Sequence, residues 1–249
     1  MSGGEALERA RLSTGLREIG AGASEVAVNA MLEYVALVLA ENRRTNLVGA
    51  HRTGEMIAQL LDALAPLANV ELKDPVVDLG SGAGLPGLAL AILQPERAIV
   101  LLEPRAKRAA FLRRAAAQLT AGLVEVAQVR AETAGRAGFR QRFGTVLARA
   151  VARPAVLFEL ALPLLKIGGE LIVYLGKRPE PSTEELAVLG LLGGRLREAK
   201  SVSVPYSAAQ RHMWIIRKTG LTPSQFPRRS GIPKLSPLTS ADVPRGTKR

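Results

Sequence analysis

The 249-residue chain contains no cysteine and only two histidines, His51 and His212. The first absence excludes disulfides, thiolate metal sites and a cysteine nucleophile. The second leaves too few imidazoles for a histidine-built metal site or triad, and both rings are read as structural. Long apolar runs are missing too. With no stretch of about 18 uncharged apolar residues and no charged-then-apolar leader, the expectation is a soluble, cytoplasmic protein without membrane or metal partners. Aromatics make up 4% of the chain, so exposed rings for stacking bases are few. Acids thin out at the end: residues 217–249 carry eight Lys/Arg against Asp242 alone, a balance of +7, leaving +5 of the net +12 to the first 216 residues. A basic tail on a nearly balanced body points to a polyanion, nucleic acid foremost. The alternative is a solvated tail that only aids solubility.

What is present begins with 47% hydrophobic content, ample for a core, on a length that suits one α/β domain plus an appendage. The chain is organised around Val76-Val-Asp-Leu-Gly-Ser-Gly-Ala-Gly-Leu-Pro-Gly-Leu88. Val76, Val77 and Leu79 predict a short buried strand. Gly80, Gly82 and Gly84 predict a turn that can take positive φ and admit a ligand closely. Pro86 suits a helix's first position, where its missing N–H removes nothing. A strand, glycine loop and helix present free N–H groups at the positive end of a helix dipole, so a small polar cofactor is expected there.

Before that stretch, Gly3, Gly4, Gly15, Gly20 and Gly22 discourage one long helix over residues 1–24. Ser24 predicts the cap of a helix carrying Val26, Met31, Leu32, Val35 and Val38 at helical spacing. Residues 46–49 read as a turn or linker, and residues 55–67 as a second amphipathic helix. Residues 1–70 are therefore expected to form a helical cap. From Pro75 strands alternate with helices: strands at 76–79, 98–102, 123–129, 145–148 and 170–175, helices at 87–93, 106–119, 154–165 and 183–192. That alternation means a parallel sheet with right-handed crossovers. Two further strands, 195–204 and 212–217, have no helix between them and must form an antiparallel hairpin. The expected class is α/β: a doubly wound, Rossmann-like sheet over residues 71–218, mostly parallel with a terminal antiparallel hairpin. A proline-rich basic tail, extended along the body or awaiting RNA, is expected over residues 219–249.

Gly82-Ala-Gly84-Leu-Pro-Gly87 matches G-x-G-x-x-G, so a dinucleotide site is an alternative. Three features favour S-adenosylmethionine. Asp78 stands at the strand end, where it can orient the loop or meet the cofactor's amino-acid portion. Glu103 closes the second strand, where a carboxylate can accept two hydrogen bonds from ribose hydroxyls. The terminal hairpin belongs to the methyltransferase variant of the doubly wound sheet. An NAD-dependent oxidoreductase lacks a visible hydride-transfer constellation here; a non-catalytic RNA-binding assembly factor would not need the intact glycine loop.

The chain resembles the bacterial small-subunit rRNA guanine-N7 methyltransferases (RsmG, formerly GidB). The resemblance rests on residues 78–87 (DLGSGAGLPG), Arg149-Ala-Val-Ala152, Arg211-His212, Asn46-Leu47 with Glu55-Met56, and the tail segment Phe226-Pro-Arg-Arg-Ser-Gly-Ile-Pro-Lys-Leu-Ser-Pro-Leu238. It runs from about residue 30 to 238. It implies 7-methylguanosine in 16S rRNA as product, and cofactor contacts at Gly80, Leu85, Glu103, Ala131, Glu132 and Arg149. Two departures stand out. The family's His-x-x-Asp-Ser pattern is reduced to Asp62 within Gln59-Leu-Leu-Asp-Ala63, and its Lys-Gly after the fifth strand is reversed to Gly176-Lys177.

Methyl transfer from a sulfonium is an in-line displacement, and alignment of donor and acceptor can supply roughly 7–11 kcal/mol. Exocyclic-amine methylation commonly uses Asn/Asp-Pro-Pro-aromatic after the fourth strand; here Arg149-Ala-Val-Ala-Arg-Pro154 stands instead. Cytosine C5 methylation needs a cysteine. Guanine N7 has a free lone pair and no proton to lose, so no general base is expected. Arginines that ordinarily fork onto O6 and N7 must leave N7 free. Arg149, at the carboxyl end of the fourth strand, is the expected catalytic residue, with Arg130 and Arg153 behind it. RNA contacts are expected at Arg105, Lys107, Arg108, Arg130, Arg153, Arg211, Arg228, Arg229 and Lys234. Arg113 and Arg114 are read as a solvated helix face. Phe226 is the expected base-stacking ring and Trp214 a core residue. A monomer acting on 16S rRNA or the small ribosomal subunit is the expected state.

Overall fold

The first strand, β1 (Val76–Leu79), is buried along its whole length. Two β-branched valines and a leucine suit a strand covered on both faces. In the computed structural model, which describes residues 3–68, 70–120, 122–176, 178–207 and 210–244, β1 is an inner strand of a seven-stranded sheet. Its parallel neighbours are β2 (Ile99–Leu102) and β4 (Phe143–Arg149). Outside them run β3 (Val124–Ala127) and β5 (Leu165–Leu175), also parallel. The last two strands, β6 (Gly194–Val202) and β7 (Arg211–Lys218), form the expected hairpin, and β7 inserts antiparallel between β5 and β6. The order is β3-β2-β1-β4-β5-β7-β6. Lys177, whose reversed order was noted above, lies outside the described residues.

Successive strand residues serve opposite faces. Val76 and Leu147 join one buried cluster, Val77 and Val146 the other. The first cluster takes in α1 (Gly3–Glu18), α2 (Glu25–Thr45), α3 (Thr53–Leu64), α4 (Gly87–Leu93) and α5 (Ala106–Leu119). The second is covered by α6 (Ala131–Arg136), α7 (Pro154–Ala161), α8 (Thr183–Leu191) and residues of the tail.

Several elements differ from expectation. Residues 3–18 form one helix despite their glycines, because Leu12 and Leu16 are buried and Gly15 leaves the space that Leu61 of α3 occupies. Tertiary packing overrides glycine's poor helix propensity there. The turn after α2 is built on a buried amide: Asn42 donates to the Val48 and Ala50 carbonyls and accepts from the Leu47 and Val48 N–H groups. The seventh helix stops at Ala161, and a 3-10 turn through Pro163 leads directly into β5. That strand starts at Leu165 rather than 170, pairing Leu165 with Phe143 past a register shift.

The tail as far as residue 244 is not a loose arm; residues 245–249 lie outside the described residues. Lys218 is buried, its Nζ donating to the Leu192 carbonyl and to the Thr222 hydroxyl; burial, with Arg140 adding to it, pushes its pKa down to about 7. Arg140 donates to the Phe226 and Thr222 carbonyls at 2.7 Å each. Phe226 and Leu238 are buried, and a one-turn helix, α9 (Ile232–Leu235), lies between them.

Candidate active site

The strand order reverses between β1 and β4, and ligands of open α/β sheets bind beyond the carboxyl ends of strands at such a point. The glycine loop lies there. Gly80 and Ser81 donate to the Leu102 carbonyl, and the Ser81 hydroxyl donates to the Asp78 carbonyl. Gly80 and Gly82 take φ of 72° and 57°, a conformation that side chains resist. Pro86 is the residue before the first helical position rather than the first itself.

Two buried carboxylates hold this loop. Asp78 Oδ2 accepts the Gly87 N–H at 3.0 Å, which ties the end of β1 to the first residue of α4 and orients the loop between them. Burial pushes its pKa up to about 7; the Gly87 and Ser81 hydrogen bonds and Arg149 pull it down, and the charge of Glu103 adds to the rise. Glu103 is 3% exposed, with Oε2 accepting from Gly82 N–H at 3.0 Å and Oε1 from Arg105 N–H at 2.8 Å. Each oxygen keeps a further lone pair for an outside donor.

Beside Glu103 opens a cleft of about 470 Å³ between Leu79, Gly80, Leu102 and Pro104 on one side and Val151, Val156 and Leu160 on the other. Its remaining lining includes Arg130, Ala131, Glu132, Arg153 and Lys234. The Glu132 carboxylate also accepts the Gly231 N–H, which brings the tail to the cleft. Leu85 is packed in the buried cluster of the cap helices.

Arg149 ends β4 and is followed by Ala150 at φ 56°, a strained conformation for a residue with a side chain. Its Nη2 lies 2.8 Å from Asp62 Oδ2, while Arg211 Nε lies 2.6 Å from Asp62 Oδ1. One carboxylate of the cap therefore holds two arginines at the carboxyl end of the parallel strands, and all three line a second cavity of about 250 Å³ with Tyr174 and His212. Two tyrosines fasten the cap to this end of the sheet. Tyr34 donates to the Ala83 carbonyl of the glycine loop at 2.9 Å, and Tyr174 donates to the Ala63 carbonyl of α3 at 2.8 Å. Burial, with the Asp78 charge adding to it, pushes the Tyr34 hydroxyl well above the usual tyrosine range.

The structure thus gathers Asp78, Gly80, Gly82, Glu103, Ala131, Glu132 and Arg149 at one end of the sheet, with Arg130, Arg153 and Lys234 around the cleft. Arg105, Lys107 and Arg108 start α5 and line a neighbouring cleft. Arg211 is tied to Asp62. Two tail expectations are corrected. Phe226 is 6% exposed and belongs to the core, so its ring is not presented for base stacking. Arg228 is committed to Glu159, a wholly buried carboxylate of α7: Nε, Nη2 and the backbone N–H all donate to it at 2.6–2.9 Å. A buried charge needs such a partner, so Arg228 anchors the tail rather than offering a free cation. Arg229 remains exposed. Trp214 is buried, as expected, with its ring N–H on the Pro179 carbonyl. Asp62 and Tyr34 were missed as site residues; an acid in the apolar second half of α3 is the sequence signal that marks the first.

A family model described as rRNA small subunit methyltransferase G matches residues 27–212. The chain belongs to this family. It is similar to Ribosomal RNA small subunit methyltransferase G of Pelotomaculum thermopropionicum, at 37% identity covering 91% of this chain and 97% of that one. The protein of the same name from Symbiobacterium thermophilum is also 37% identical, covering 92% and 98%. Among solved structures, the 1,6-didemethyltoxoflavin-N1-methyltransferase of Burkholderia thailandensis superposes with a TM-score of 0.50 at 15% identity, covering 76% of this chain and 90% of that one. That likeness is one of fold. No group of His, Asp or Glu suited to a metal ion occurs among the described residues of this methyltransferase family member, and no described helix is long and apolar enough to cross a membrane.

Proposed function

We propose that the chain transfers the methyl group of S-adenosylmethionine to N7 of a guanine in 16S rRNA. Membership of the family makes it an S-adenosylmethionine-dependent methyltransferase of small-subunit rRNA; the acceptor atom and the residue roles are our reading. The observation that carries it is the buried Glu103 carboxylate, which braces Gly82 and the start of α5 while its chain neighbours Leu102 and Pro104 line the cleft.

The groups present fit that cofactor. Lone pairs on Glu103 suit the ribose diol, and the apolar side chains of Leu102, Val156 and Leu160 suit an adenine. The loop at Gly80 and Gly82 lets the amino-acid portion approach the backbone. When bound, the cofactor supplies an electrophilic methyl group on a sulfonium. The protein's own work is orientation. Asp62 fixes the Arg149 guanidinium at the end of β4, from where it can bind guanine O6, a phosphate or the cofactor's carboxylate while leaving N7 bare. N7 carries no proton, so no side chain has to act as a base. In this reading residues 1–70 serve as a cap, residues 71–218 carry the chemistry, and the tail from residue 219 buttresses the cofactor cleft through Gly231 and Glu132. The enzyme acts as a cytoplasmic monomer.

Purified protein with tritiated S-adenosylmethionine should label 16S rRNA from cells lacking this gene, and nucleoside analysis should return 7-methylguanosine. Label on protein or small molecules, with none on RNA, would sink the proposal.

A further inference from the structure

The last turn of α2 and the first turn of α5 face each other across an open cleft of about 620 Å³. Arg43 and Arg44 line it from the cap; Arg105, Lys107 and Arg108 line it from the sheet side, and no acidic residue lines it. Among the described residues none of these five side chains takes part in an ion pair or hydrogen bond, and all but the half-buried Arg108 are exposed. By contrast Arg114, further along α5, pairs with Glu41, while Arg149 and Arg211 pair with Asp62 and Arg228 with Glu159.

Five unmatched like charges around one cleft repel each other and create a strongly positive potential. The pair on α2 sits favourably at a helix carboxyl end. Lys107 and Arg108 sit at the positive end of α5, where cations are unfavourable, so an anion between the two helices relieves both the repulsion and the dipole conflict. The cleft also adjoins the cofactor site. Pro104 lines one cleft and Arg105 the other, and Arg108 Nη1 lies 3.9 Å from where a side chain at Gly82 would begin.

We propose that this cleft grips successive phosphates of the rRNA strand beside the target guanine, which makes the helical cap part of the substrate-binding surface. The inference rests on the proposed rRNA acceptor. The charge on both walls exceeds what a single phosphate needs and suits a strand running along the junction. Nucleic-acid phosphates are bound chiefly by such arginine and lysine contacts.

The test uses the full chain and unmethylated 16S rRNA. The double variant Arg43→Gln/Arg44→Gln should raise the KM for rRNA about tenfold near 0.1 M salt. It should also make the log–log salt dependence of binding shallower by about 1.4, two single-strand contacts. The kcat at saturating rRNA and the calorimetric affinity for S-adenosylmethionine should not change. Arg17→Gln/Arg195→Gln, which removes equal charge outside the cleft, should leave the slope alone. An unchanged slope in the cleft variant, or an equal fall in both, overturns the cleft. Wild-type protein that binds no rRNA overturns the acceptor assignment and the cleft with it.

Discussion

Asp78 and Gly87 show how little freedom the centre of the site allows. A side chain on Gly87 would place its Cβ 2.5 Å from Asp78 Cβ and 2.6 Å from Leu101 Cδ2, so here glycine is needed for space between helix and strand. Gly87→Ala should therefore cost about 1–3 kcal/mol by overpacking and sharply weaken cofactor binding, measurable by thermal unfolding and calorimetry. Asp78 makes a pH prediction with a definite sign. Its carboxyl titrates near 4 in an unfolded chain and at about 7 when buried here. Below about 4 both states hold the proton. Between about 4 and 7 only the folded state does, so Asp78's contribution to stability falls as pH rises through that window and levels above it. Asp78→Asn keeps an acceptor for the Gly87 N–H and loses the titration. The variant's melting temperature should gain on the wild type from pH 4 to 7; parallel curves would mean the carboxyl ionises normally.

Among the elements, α3 matters most, because Asp62 joins the cap to two strands at once. Arg149→Ala should leave the fold intact, since Asp62 keeps Arg211, yet abolish most methyl transfer. Asp62→Ala tests orientation. It leaves Arg149 present but unheld, and misplacement by about 1 Å can cost about a hundredfold in rate. The expected result is a kcat loss of about ten- to a hundredfold with cofactor affinity nearly unchanged. Wild-type kcat would show that the ion pair only staples cap to sheet.

On the scale of the whole molecule the basic tail changes meaning. Removing residues after Lys218 would leave Glu159 buried without its arginine and expose the seats of Phe226 and Leu238. Loss of one partner of a buried ion pair costs about 3–5 kcal/mol, so the truncated protein should unfold well below the full chain and express poorly. A truncation with wild-type stability would return the tail to a solvated arm.

Much of this was readable from local pattern. Alternation of short apolar strands with helices dictated the parallel sheet, the missing helix before residue 211 dictated the antiparallel hairpin, and Asp78, the glycines and Glu103 marked the end of the sheet where we propose the cofactor binds. These are short-range consequences of side-chain period and turn chemistry. Folding alone decided which charges meet. Nothing near Arg228 in sequence announces Glu159, nothing near Arg149 announces Asp62, and Arg43 and Arg44 read as an ordinary helix end until α5 brings three more cations opposite. Electrostatic partners depend on three-dimensional distance and burial, which local sequence does not encode. The same residue types therefore became an anchor at Arg228, a held site group at Arg149 and an open cationic cleft at Arg43 and Arg44.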